Sequence, residues 1–131
     1  MGRGANINAE HEVYGNVLQT ASLESHTEIV RLLLDNGADP NAQNGNRHYG
    51  NALHIASYIG HTEIVRLLLD NGADPNAQSR NRQIGGNALQ IASYQGHTEI
   101  VRLLLNKEAN VNAEGGIDGN TLQAASFQSH I

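Results

Sequence analysis

Apolar residues along the chain fall into short blocks of helical spacing separated by polar turns, and the block from 51 to 76 is the easiest to read. Asn51 stands where a helix N-cap is needed, its side-chain oxygen placed to accept a free backbone N–H. The pattern predicts a short first helix over residues 52–58 and a turn at Gly60-His61. Thr62 then opens a second helix, with Glu63 in the first turn where a negative charge complements the helix dipole. Ile64, Val65, Leu67, Leu68 and Leu69 give this helix a broad apolar face, and Arg66 points away. Asp70-Asn71-Gly72 closes it, with Gly72 in the left-handed position that ends many helices. Asp74-Pro75-Asn76 is expected to leave in extended conformation, because the residue before proline is biased away from helix.

The same pattern returns along the whole chain. His-Thr-Glu-Ile-Val-Arg-Leu-Leu-Leu occurs at 26–34, 61–69 and 97–105. Gly-Ala-Asp-Pro-Asn occurs at 37–41 and 72–76, with variants at 4–8 and 108–112. Gly-Asn-Val-Leu-Gln at 15–19 is echoed at 50–54, 86–90 and 119–123. The copies of the Gly-Ala-Asp string are not evenly spaced: extra residues fall only between Gln43 and Tyr49 and between Gln78 and Gly85. Insertions confined to one loop of a repeat map to one face, often the binding face. Neither helix of a repeat hides its apolar face alone, so stability must come from stacking neighbouring pairs.

With a turn and two helices in about 33 residues, the chain resembles an ankyrin repeat array, which implies an all-α solenoid of stacked helix-turn-helix pairs. It departs from the Thr-Pro-Leu-His opening of that family, having Asn-Ala-Leu-His or Asn-Ala-Leu-Gln instead. The Gly-Asn-Ala-Leu-Gln style with long turns is most similar to arrays of filamentous fungi, where such arrays often form the sensing region of larger NTPase receptors. The whole of 1–131 reads as a single repeat domain. It holds full repeats at 14–48, 49–84 and 85–117, with partial ones at 1–13 and 118–131. Leu122 and Phe127 in the last fragment lack half the cover a following helix would give. A segment of a longer natural array and an engineered, consensus-like scaffold both fit; near-identical copies favour the second and uneven loops the first.

Composition narrows the function classes. Aromatics are only 4% of the chain, so the core must be built from Leu, Ile, Val and Ala. A net charge of −5 gives no reason to expect nucleic acid or an anionic membrane as partner. Cysteine is absent, which excludes disulfides and thiolate metal sites and fits an intracellular location, cytoplasmic or nuclear. No signal-peptide core or membrane-length apolar run is present.

Seven histidines invite a metal hypothesis, but His26, His61, His97 and His130 recur once per repeat. A stack spaces such residues roughly 10 Å apart, whereas zinc ligands converge to about 2 Å from one ion. The expected role is an imidazole bonding to the backbone of its own or the next repeat. Glu28, Glu63 and Glu99, like Ser22, Ser57 and Ser93, are copies of scaffold positions. Acid–base catalysis needs one asymmetric environment to split its pKa values, so repeated positions argue against an enzyme. No phosphate-binding, nucleophile-elbow or zinc-helix motif occurs, and no cofactor is expected.

If the second helix is scaffold, function should sit where the copies disagree. They disagree in the long turns, residues 44–48 and 79–84, and at two positions of the first helix. One position holds Gln19, His54, Gln90 and Gln123; the other holds Glu24, Ile59, Gln95 and Gln128. Both are expected on the outer side, and the family resemblance points to the same turn tips and first helices. Three of the eight basic residues, Arg47, Arg80 and Arg82, lie in the inserted turns, which hold no acid. Tyr49 adds an amphipathic contact of the kind enriched at hot spots. Tyr58 and Tyr94 add the same contact or pack between helices. The expected contact set is Arg47, His48, Tyr49, His54, Ile59, Arg80, Arg82, Gln90 and Gln95. The expected function is binding of a protein partner that carries an acidic segment. Competing with it is a structural spacer, or an engineered scaffold with no natural target. Self-association through the open repeat ends is the remaining expectation. Glu108 stands where two copies have Gly37 and Gly72, so Glu108→Gly is expected to stabilise the chain.

Overall fold

The computed structural model of the chain describes residues 16–43, 50–79 and 85–107. Those residues form six helices: α1 Val17–Leu23, α2 Thr27–Asp35, α3 Ala52–Ile59, α4 Thr62–Asp70, α5 Ala88–Gln95 and α6 Thr98–Asn106. Helices α1, α3 and α5 pack side by side as one layer, α2, α4 and α6 as the other, and each pair closes as a hairpin. The described fold is the all-α stack that the repeat pattern predicts.

Each first helix begins at an asparagine that is part of a reciprocal box. Asn16, Asn51 and Asn87 accept the backbone N–H of Gln19, His54 and Gln90, and each of those side chains accepts the N–H of its asparagine in return. Two otherwise orphaned donors are satisfied per helix. Helices α3 and α5 end on Gly60 and Gly96, whose φ angles of 93° and 78° are left-handed. At the matching place α1 has Ser25, with φ 61°, and α1 is one residue shorter. The second helices end as expected, with Gly37 and Gly72 left-handed just after Asn36 and Asn71.

The exit from the second helix differs from the extended strand expected. Asp74 accepts the N–H of Asn76 on its side chain at 2.9 Å and that of Ala77 on its carbonyl at 3.3 Å. Asp39 makes the same turn with Asn41 and Ala42. Aspartate starts such turns by bonding two residues ahead, and proline pre-sets the next φ. Proline's bias acts on Asp74 and Asp39, which precede the turn, and the turn itself lies at Pro75-Asn76 and Pro40-Asn41, so the two preferences do not conflict.

The core is aliphatic. Leu18, Leu53, Ile64, Leu68, Leu89, Ile100 and Leu104 are fully buried, each a gain of about 1.5–3 kcal/mol over exposure. Ala21, Ala52, Ala56, Ala88 and Ala92 are the small buried residues of the first-helix layer. Ser22, Ser57 and Ser93 are buried among them, as expected of packing residues. Arg66 lies outside, paired with Glu63 at 2.7 Å.

Candidate functional site

The inserted turns carry most of the expected contact set. Arg47, His48, Tyr49, Arg80 and Arg82 lie outside the described residues. Their stems are described, and buried polar side chains hold them. Gln19 Nε2 donates to Ala42 O at 3.1 Å and to Gly50 O at 2.9 Å, so one side chain ties both ends of the first insertion. His54 Nε2 bonds Ala77 O at 2.8 Å, just before the second insertion. That insertion is closed at its base by Ser79 N–H donating to Gly86 O at 2.9 Å. One turn also clamps the next: Asn41 Nδ2 donates to Gly72 O at 3.0 Å, and Asn41 Oδ1 accepts the N–H of Asp74 at 2.6 Å.

These bonds correct one part of the sequence reading. His54 and Gln90 were expected on the outer side of the first helix as partner contacts, and both are buried. Each spends its side chain on the capping box, and His54 also on the turn. Glutamine and histidine alternate at this position because both offer an acceptor and a donor at similar reach. The Asn-x-x-Gln or Asn-x-x-His spacing, a capping-box signature, is the sequence signal that identifies them as anchors.

The second first-helix position faces water. Ile59 and Gln95 are exposed, as is Glu24. Tyr58 beside Ile59 is exposed and Tyr94 half-buried. The surface that remains from the expected set is thus the C-terminal ends of α3 and α5, together with whatever the insertions present.

His54 is the titratable group whose surroundings matter most. Burial pushes its pKa below the usual imidazole value, opposed by the bond to Ala77 and the charge of Asp74. Nδ1 accepts the N–H of Asn51 at 3.1 Å, so the proton sits on Nε2, aimed at Ala77 O. The repeated histidines tie neighbouring repeats together. His61 Nε2 lies 3.2 Å from Thr27 Oγ1, and His97 Nε2 lies 3.2 Å from Tyr58 O. Among the described residues no three metal-ligating side chains converge, and no helix is long and apolar enough to cross a membrane.

Charge on the described scaffold is locally matched. Arg31, Arg66 and Arg102 each pair with the glutamate three residues earlier, and Lys107 pairs with Asp70 at 3.8 Å. All four partners are exposed, so each pair contributes little to stability.

Family models bear on the whole stack. One described as ankyrin repeats in three copies matches residues 1–79, and another described as an ankyrin repeat matches residues 85–115. No curated protein matches the chain.

Proposed function

Because the chain belongs to the ankyrin repeat family, whose members are generally protein–protein interaction modules, we propose that it binds a partner along the edge carrying its two inserted turns. Tyr58, Ile59 and Gln95 are exposed at the C-terminal ends of α3 and α5, about 12 Å along the helices from the insertion stems at their N-caps, and offer a second stretch of contact. The observation that carries the reading is the anchoring of the stems. Gln19, His54 and the Ser79–Gly86 bond fix where each insertion leaves the body. Holding two extra-long turns on buried polar side chains is how a rigid scaffold presents binding loops, and it costs side-chain freedom that an idle spacer has no use for.

The partner segment is acidic. The described cations of the scaffold are all paired with carboxylates, while Arg47, Arg80 and Arg82 stand in insertions that contain no acid. His48 and Tyr49 join them at the first insertion. His54 and Gln90 act behind this surface, as anchors rather than contacts.

The test is capture from lysate beside binding of labelled acidic peptides, by the chain and by an Arg47/Arg80/Arg82→Glu variant of verified folding. Retention by the parent, loss in the variant and weakening as salt rises support the edge. Equal retention by both removes the arginines from the site. If neither holds a specific protein, the spacer or engineered-scaffold reading takes its place.

A further inference from the structure

The capping boxes of the first helices close the same backbone with two different side chains, and the two differ in chemistry. Gln19 is an amide: Oε1 accepts the N–H of Asn16, and the two Nε2 hydrogens serve Ala42 O and Gly50 O. His54 has one acceptor and one donor, both fixed on a rigid ring. Nδ1 takes the N–H of Asn51 at 3.1 Å and Nε2 gives to Ala77 O at 2.8 Å. His54 is 1% exposed and sits where the second inserted turn leaves the body. A Cβ on Gly50 would stand 2.5 Å from its Nδ1 and 3.1 Å from Ser79 Oγ, and Ser79 N–H closes the base of that turn on Gly86 O.

An amide gains no proton near neutral pH, whereas an imidazole does. A proton on Nδ1 sets two donors against each other across 3.1 Å, so the bond to Asn51 breaks. Both nitrogens are engaged, so the ring cannot retreat from Asn51 without carrying Nε2 away from Ala77 O. One proton thus acts on the start of α3 and on the second stem together. The charges around the ring are few among the described residues. Of the helices packed against α3, α1 carries no titratable side chain before Glu24 at its C-cap, and α5 only Tyr94 near its C-terminal end. On α4, Glu63 pairs with Arg66 and Asp70 with Lys107, all on exposed side chains. His61 and His97 belong to the opposite end of α3. Asp74, in the turn after α4, favours imidazolium, and burial opposes it more strongly.

We propose that His54 is a pH-operated latch, whose protonation releases the Asn51 N–H and shifts the stem of the second turn at Ala77 and Ser79 while the stem held by Gln19 stays fixed. The event is confined to one capping box and one turn base, and it reverses when the proton leaves.

Amide NMR spectra of the whole chain between about pH 7.5 and about pH 5, above the carboxylate range, read both stems at once. The amides of Asn51 and Ser79 should move together with one midpoint below 6.5, and His54→Gln should abolish that movement. The amides of Asn16 and Ala42 should behave alike in the two proteins, since the remaining histidines are common to both. The His54 ring nitrogens of the parent give a second reading that needs no variant: the proton should be on Nε2 at pH 7.5, and Nδ1 should gain one at the midpoint of the amides. Should the glutamine variant lose helix, this reading decides. Amides of Asn51 and Ser79 that stay still over the range overturn the proposal, as do separate midpoints for the two. Movement that persists in a folded His54→Gln chain overturns it as well, and so does a ring that carries its proton on Nδ1 at pH 7.5.

Discussion

Replacing His54 by glutamine, the residue that Gln19 and Gln90 place at the same position, should remove a pH dependence from the stability of the fold. In the folded chain the imidazole is buried and neutral, with Nδ1 accepting the N–H of Asn51 and Nε2–H directed at Ala77 O. Protonating Nδ1 turns that acceptor into a donor and leaves the buried N–H of Asn51 facing it. A buried donor left without a partner costs about 1–3 kcal/mol. Desolvation acts in the same direction and lowers the folded pKa below 6.5, the ordinary value that the unfolded chain keeps. Below 6.5 the unfolded state therefore binds more protons than the folded one, and stability falls with falling pH. The contribution of His54 is complete above 6.5, is lost as pH drops from there to its folded pKa, and levels off below that.

Thermal midpoints of parent and His54→Gln chains at pH 7.5 and pH 5.5 measure this, above the range where carboxylates titrate. Because pH 5.5 lies one unit below the unfolded value, linkage limits the loss over this interval to about 1.4 kcal/mol, a drop of up to roughly 6 °C in a chain of this size. Glutamine keeps the box and does not titrate: Gln19 already accepts from Asn16 N–H at 2.8 Å and grips its turn with Nε2. The other histidines are common to both proteins, so their effect cancels in the difference. Parallel midpoints at the two pH values would refute the anchoring role of a neutral His54. A variant much less stable at pH 7.5 would show that glutamine fails to reach Ala77 from this backbone.

Ser25 holds a left-handed φ of 61° where its counterparts are Gly60 and Gly96, a conformation costing a side-chain-bearing residue about 1–2 kcal/mol. Glycine returns about 0.4–1 kcal/mol of that as unfolded-state freedom, so Ser25→Gly should raise the stability read from urea titration by up to about 1.6 kcal/mol; a lowered stability contradicts it. The reverse change, Gly60→Ala, adds a Cβ 2.6 Å from Cε1 of His97 at φ 93°, and should destabilise by about 1–3 kcal/mol in the same titration. Ser22 Oγ donates to Leu18 O at 2.8 Å, whereas the buried Ser57 Oγ has no partner. Ser22→Ala should therefore cost about 0.5–1.5 kcal/mol and Ser57→Ala nothing, or give a small gain; equal losses would show that packing, not bonding, sets both. Glu108 lies outside the described residues, but Gly37 and Gly72 hold φ 96° and 95° at the matching position, so Glu108→Gly should raise the midpoint; an unchanged or lower value means Glu108 avoids that conformation.

The helix order was legible in the sequence because its determinants are local. Asparagine caps and apolar spacing act within one turn of chain, and they placed the start of each described helix. The anchoring role of Gln19 and His54 was not read from the sequence, because the bonds that define it span 23 and 31 residues. Difference among copies suggests surface, and at this position it marks two side chains meeting one buried demand. At Glu24, Ile59 and Gln95 the same kind of difference does mark surface. Variation alone does not separate the two cases; the partner atoms do.

The repeated histidines carry that argument one step further, since identical residues need not do identical work. His97 lies against Gly60 and bonds the carbonyl of Tyr58 in the repeat before it. Its ring occupies the space that a Cβ at position 60 would need. His61 has Ser25, not glycine, at the matching place, and its ring turns elsewhere. Nε2 reaches the hydroxyl of Thr27, and Nδ1 accepts the N–H of Ile64 at 3.4 Å, capping α4. A single side chain in one repeat thus accompanies a different partner for the histidine of the next. In a stack, the meaning of a residue is set by its own repeat and by the glycine or serine its neighbour presents.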